Sequence, residues 1–211
     1  MSEEARNSPR PPAAQGRRER KAQETRDRIF REAIALFAER GFETVTIEQI
    51  TDRADVGKGT FFNYFQNKEA VLTYFGGIQL ERLQQSMDAG EVEGTPREQV
   101  RRVLEILASY PEMTPELARA LFMSALNFNR FREIGGQPIW HIEGVLGKII
   151  SEGQETGVFR TRSSGDEVAV FTLGLYFLAL LTWCTGFTDK PLVEVACCYA
   201  DLALEGLAIE P

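Results

Sequence analysis

Residues 44–72 read TVTIEQITDRADVGKGTFFNYFQNKEAVL, and the order of polar and apolar positions in them decides the fold. Thr46 stands before the apolar stripe Ile47, Ile50 and Ala54, with Gln49 three residues on. That spacing is a capping box, in which each side chain satisfies a backbone N–H left free at a helix start. The chain turns at Asp55-Val56-Gly57, and a further short helix runs from about Lys58 to Phe65, with Phe61 and Phe65 four apart on its inward face. Two short helices joined by a tight turn form a helix-turn-helix.

Before this stretch, Phe30, Ala33, Ile34 and Phe37 repeat at helical spacing between Thr25 and Arg40, and Gly41 supplies the stop. Residues 1–23 carry Pro9, Pro11, Pro12 and Gly16 and are expected to form a disordered basic arm. The net charge of the chain is -7, which taken alone opposes binding to nucleic acid. Its distribution reverses that reading: between Ala5 and Arg31 there are nine Lys or Arg against three acids, whereas residues 71–211 hold eleven bases against nineteen acids. The basic charge lies at the helix-turn-helix end.

After Lys68 the chain reads as helical throughout. A long helix runs toward Met87, with expected weakness at Gly76-Gly77, and Asp88–Pro96 forms a loop. Further helices are expected at about 97–110, 115–128, 139–155, 167–185 and 191–209. The fold class is therefore all-α: a three-helix domain at 24–70 built on the helix-turn-helix, and a larger helical bundle at 71–211. Val168–Phe187 contains twenty residues without a charge, long enough to cross a bilayer. The capping box of Ser164 and Glu167, acidic flanks and interrupting threonines favour a buried bundle helix, so no membrane partner is expected.

The run from Thr44 to Leu72 resembles the signature of the tetracycline-repressor family. The likeness lies in Thr-x-x-Ile, then Ala-x-Val, then Gly-Thr, an aromatic run ending in Phe, and Lys-Glu before an apolar pair. With the first helix it covers about residues 25–75, and residues 152–160 are similar to a recurrent family segment. The resemblance implies about nine helices, a homodimer, and repression relieved when a small molecule occupies the C-terminal domain. Asp55 stands where the family favours Gly, and Asp tolerates a left-handed backbone better than most residues. Gly57 replaces a common Ser and remains an acceptable N-cap. Phe62 replaces a frequent Tyr, which removes a hydroxyl contact to phosphate.

In a helix-turn-helix the second helix enters the major groove with its N-terminal residues against base edges. Here these are Lys58, which can donate to guanine, Gly59, which lets the backbone approach, and Thr60, whose methyl suits thymine. Phe62 and Asn63 lie outward. Tyr64 and Lys68 match family positions that hold phosphates, as do Thr25 and Thr46, both expected at helix starts where free N–H groups attract anions. The basic arm is expected to reach an adjacent minor groove.

The expected partners are double-stranded DNA, a second copy of the chain and a small apolar or aromatic ligand. Dimerisation is placed on the last two helices, through Leu178, Leu181, Val193, Cys197, Leu202 and Leu204. Candidate pocket residues are Tyr110, Met113, Phe122, Met123, Trp140, His141, Tyr176, Phe177 and Trp183, although an aromatic stripe is more often plain core. His141 is the single histidine, and no Ser/His/Asp set or Gly-rich phosphate loop stands out, so neither an enzyme, a metal nor a cofactor is expected. With three cysteines, two of them adjacent, and an N-terminus lacking an apolar stretch, the expected compartment is the cytoplasm. Redox sensing through Cys197 and Cys198, activation instead of repression, and non-specific coating of DNA stay open as alternatives.

Overall fold

The computed structural model describes residues 12–111, 113–126, 136–160 and 162–207. Among these residues nine helices form: α1 (Pro12–Arg40), α2 (Ile47–Arg53), α3 (Lys58–Tyr64), α4 (Glu69–Asp88), α5 (Pro96–Ala108), α6 (Pro115–Leu126), α7 (Gly136–Glu155), α8 (Gly165–Cys184) and α9 (Leu192–Leu207). The all-α class and the division into a helix-turn-helix and a larger C-terminal bundle are as the sequence predicts.

Local chemistry sets the ends of the short helices. Gly41 leaves α1 at φ +79°, its N–H donating to the Phe37 carbonyl over 3.0 Å. At α2 the Gln49 N–H donates to the Thr46 hydroxyl oxygen (3.3 Å), while the Thr46 N–H donates to the Gln49 side-chain oxygen (3.0 Å). Asp55 takes the left-handed conformation at φ +50°, the one non-glycine residue with positive φ among those described, and the turn forms with Asp in the place of glycine. Ser164 and Glu167 close the expected box at α8, and Thr95 with Glu98 closes another at α5.

One boundary is corrected. Residues 12–23, expected in the disordered arm, belong to α1. Pro12 occupies the first helical position, where a missing N–H costs nothing and the fixed φ suits the helix. Ala, Gln, Arg, Glu and Lys follow, all good helix formers, and they outweigh the single Gly16. Residues 1–11 of that arm lie outside the described residues, as does 127–128 of the expected sixth helix and 208–209 of the last. Gly76 and Gly77 lie inside an uninterrupted α4.

Among the described residues two apolar cores form. The first gathers Ile29, Phe30, Ala33, Ile34 and Phe37 of α1, Ile50 of α2, Phe61 of α3, Phe65 and, from α4, Val71, Leu72 and Phe75. It also takes in Leu117 and Ala120 of α6 and so reaches past residue 70. The second holds Leu83 of α4, Leu104 and Leu107 of α5, Leu146 and Ile150 of α7, and inward residues of α8 and α9. Helices α4 and α6 therefore contribute to both cores.

The most extensive helix pairing is α7 with α8. It depends on small residues: a Cβ on Gly165 would lie 2.8 Å from the Gly147 carbonyl oxygen and 2.1 Å from the Ser151 hydroxyl. Helix α8 is long and apolar enough to cross a membrane, by length and composition only. Val168, Ala169, Thr172, Leu173, Tyr176, Ala179, Leu180 and Cys184 are nonetheless buried against neighbouring helices. Its opposite side exposes Val170, Phe171 and Leu178.

Candidate nucleic-acid interface

Phe61 is fully buried and Phe65 nearly so, which anchors α3 by one face and leaves the other face on the surface. Lys58, Gly59 and Asn63 are exposed, Thr60 and Tyr64 are half-buried, and Phe62 keeps 51% of its surface open. Phe62 stands edge-on to Phe61, with ring centroids 5.6 Å apart, so an apolar ring is held outward on a rigid base. A Cβ on Gly59 would meet nothing within 4 Å, so no contact inside the chain requires glycine there. The space it leaves lies on the outer surface.

Helix α2 is tied to α1 by Arg53, which donates to Glu39 through two nitrogens (2.6 and 2.7 Å) and to Glu32 through Nε (2.9 Å). The two-pronged bond to Glu39 raises the guanidinium pKa and lowers that of the carboxylate. Lys58, at the first position of α3, forms an ion pair with Glu48 of α2. That pair holds the Glu48 carboxyl below its ordinary range, the hydrogen bond from Lys58 being the largest cause. Glu48, Lys58 and Phe62 border a groove of about 410 Å³ between α2, α3 and the start of α4.

Two expected phosphate contacts need correction. The Lys68 ammonium donates to three carbonyl oxygens, of Phe42 (2.7 Å), Glu43 and Val45 (3.2 Å each), and lies 4.5 Å from the centre of the Phe42 ring. Its three donors are all used in holding the α1–α2 turn, so Lys68 has a structural role instead. Thr25 lies well inside α1, where its backbone N–H is not free, and its hydroxyl donates to the Lys21 carbonyl (2.9 Å). Thr46 is at a helix start as expected, exposed, with its hydroxyl oxygen accepting from Gln49.

Arg17, Arg18, Arg20 and Lys21 stand exposed on the first turns of α1, so the basic charge is carried on a helix. This helix is fastened to α4 by a cluster that the sequence does not announce. Gln23 Nε2 donates to the Tyr74 hydroxyl (2.8 Å), that hydroxyl donates to Asp27 (2.9 Å), and the Arg26 guanidinium stacks 4.1 Å from the Tyr74 ring centre. Burial, reinforced by Asp27, pushes the Tyr74 phenol pKa up. Partners 47 to 51 residues apart leave no periodic signal. Glu48 was likewise missed; its ten-residue separation from Lys58 becomes a contact only once the turn is folded.

Residues 29–74 match the family described as bacterial regulatory proteins, tetR family. The span covers the buried face of α1, the helix-turn-helix and the first turns of α4. The chain belongs to the tetR family. The regulator TcmR of Streptomyces glaucescens is 45% identical over 60 residues, 28% of this chain and 26% of that protein, so this likeness spans about a quarter of the relative. The transcriptional repressor NicS of Pseudomonas putida is 29% identical over 153 residues, 69% of this chain and 70% of its own length. Among solved structures, FadR of Thermus thermophilus, a TetR-family repressor in complex with lauroyl-CoA, is similar at a TM-score of 0.63. It shares 29% identity, with 88% of this chain and 96% of that one covered.

In this tetR-family regulator the nine candidate pocket residues do not share one wall. Tyr110 stacks edge-on against Phe75 (4.8 Å), beneath the Arg82 guanidinium (5.5 Å), and Met113 packs against both cores. Phe177 and Trp183 are half-buried against the second core. Tyr176 is buried, its hydroxyl donating to the Leu107 carbonyl (3.1 Å), and burial pushes its phenol pKa up. Phe122 is half-buried, whereas Met123, Trp140 and His141 face outward. Grooves of about 370 and 390 Å³ are lined by other residues, the former by Arg101 and Cys197, the latter by Arg82 and Arg102.

Of the six residues expected at a dimer contact, Leu178 and Leu202 are exposed. Leu181 and Val193 are half-buried, whereas Cys197 and Leu204 belong to the protomer's own core. Burial, with Glu105 beside it, pushes the Cys197 thiol up to about 11, and burial also raises Cys184. Both thiols are therefore protonated near neutral pH, opposite to what an oxidant-sensing thiolate requires at Cys197.

Proposed function

We propose that this chain is a ligand-responsive cytoplasmic repressor that binds a palindromic operator as a homodimer. The observation that carries the reading is the outer face of α3, where Lys58, Gly59, Thr60, Phe62 and Asn63 are presented from a helix anchored by Phe61. Lys58, Thr60 and Asn63 read base edges, Gly59 lets the backbone approach, and Thr46 and Tyr64 meet phosphates. The basic start of α1 adds a sequence-independent hold on the DNA backbone.

The second copy docks on α8 and α9. Val170, Phe171, Leu178 and Leu202 are between 46% and 61% exposed, an apolar face that a soluble protomer covers with an identical one. A two-fold pair would set its recognition helices about 34–36 Å apart on successive major grooves.

The ligand is apolar or amphipathic and occupies the C-terminal bundle. Support for an acyl chain comes from the Thermus thermophilus FadR, which holds lauroyl-CoA. Because α4 and α6 carry residues of both cores, a ligand that shifts either helix shifts the seat of α2 and α3. The test is selection from a random duplex pool, followed by titration of the selected complex with lauroyl-CoA. One enriched palindrome, released by the acyl-CoA, is expected. No enrichment contradicts the regulator, and enrichment without release rejects the acyl class of ligand.

A further inference from the structure

We infer that Glu48 determines the specificity of DNA reading by holding Lys58 away from phosphates, so that the lysine engages a base edge or nothing. This rests on the reading of α3 as the recognition helix. Lys58 and Glu48 are about equally open, with 56% and 55% of their side chains exposed, and they form an ion pair across the turn of the motif. The two helices that bear them are held by Arg53 and by the buried Ile50 and Phe61, which keeps the two side chains within reach of each other.

A lysine is a compact charge on a flexible stem, and free on a DNA-binding face it settles on any phosphate within reach. Such contacts raise affinity for all sequences alike and carry no discrimination. With Glu48 beside it, Lys58 arrives at the duplex already neutralised. To swing onto a phosphate it would leave a carboxylate facing the same polyanion, which opposes the move. Turning toward the paired acceptors of guanine in the groove keeps the ammonium between Glu48 and the base, and the carboxylate can accept from a neighbouring cytosine amino group. An exposed ion pair is weak, so a well-placed base edge can compete for the lysine. Discrimination then comes from penalising wrong contacts as well as rewarding right ones. The Phe62 ring borders the same groove.

The test compares wild type, Glu48→Gln, Lys58→Met, the double variant and Asp52→Asn, a charge control on the same helix. Binding is measured against mixed-sequence duplex DNA and against the duplex recovered by wild type from a random pool, over a range of salt. Glu48→Gln is expected to tighten binding to mixed-sequence DNA about three- to tenfold and to lower the preference for the selected duplex. It should also steepen the dependence of log affinity on log salt by about 0.9 for each phosphate gained. In the Lys58→Met background its effect should shrink below about twofold, and Asp52→Asn should leave the preference unchanged. Equal effects with and without Lys58, or from Asp52→Asn, reduce Glu48 to bulk charge and overturn the inference. So does an unchanged Glu48→Gln protein. If wild type enriches no sequence, the recognition-helix reading fails and the inference with it, whereas enrichment with an inert Glu48 removes the inference alone.

Discussion

The ammonium of Lys68 donates to the carbonyl oxygen of Phe42 over 2.7 Å and lies over the same residue's ring. A cation that family resemblance assigns to DNA is thus spent on the turn that orients α2. Lys68→Met should cost about 1–2 kcal/mol in urea unfolding, since hydrogen bonds to a charged donor are lost from a half-exposed site. The salt dependence of DNA binding by the folded variant should match wild type. A flattened slope with unchanged stability would return Lys68 to the phosphates.

At the α7–α8 crossing, Gly165 faces the Gly147 carbonyl, and backbone cannot step aside as a flexible side chain can. Gly165→Ala should destabilise the protein by about 1–3 kcal/mol, the range for overpacking a tight contact. Gly174→Ala serves as the control: it lies in the same helix with nothing near its Cβ, and should be neutral or slightly stabilising. Equal unfolding midpoints for the two variants would show that the crossing is looser than described.

Phe171 and Leu178 lie on the open side of α8, 57% and 46% exposed. Phe171→Asp with Leu178→Asp should leave helicity intact while turning a particle near twice 23.7 kDa into a monomer by light scattering, with loss of binding to a palindrome. A wild-type monomer, or a variant that still pairs, places the interface elsewhere.

Cys197 is buried and lies beside Glu105, both of which penalise the thiolate and outweigh the opposing pull of Arg101. In a variant with the other two cysteines changed to serine, alkylation by iodoacetamide should be slow at pH 7. Its rate should rise with a midpoint near pH 11 in the folded protein and near about 8.5 once unfolded in urea. Fast reaction at neutral pH would revive an oxidant-sensing role.

The parts legible in the sequence are those whose cause is local. Thr46 with Gln49, Gly41 and Asp55 announce a cap, a stop and a turn within four residues of chain, and each is found so. Phe61 and Phe65 follow from spacing alone. The start of α1 is not legible, because Pro12 reads as a breaker unless its position within the helix is known. The roles of Lys68, Glu48 and Tyr74 were hidden because each depends on a partner ten or more residues away. For Trp140 and Met123 the stripe identifies an apolar helix face, yet periodicity does not say whether that face meets the core, a ligand or a second protomer.

Whether the outer face of α3 reads sequence is decided by the affinity of wild type and Lys58→Ala for a selected palindrome relative to scrambled duplex at fixed salt. The expected wild-type preference is about 10³-fold or more, the lower bound for specific regulators, reduced about tenfold or more by Lys58→Ala when the lysine reads a base. A wild type that binds both duplexes alike, or a Lys58→Ala variant that weakens binding to both equally, would contradict sequence reading by α3.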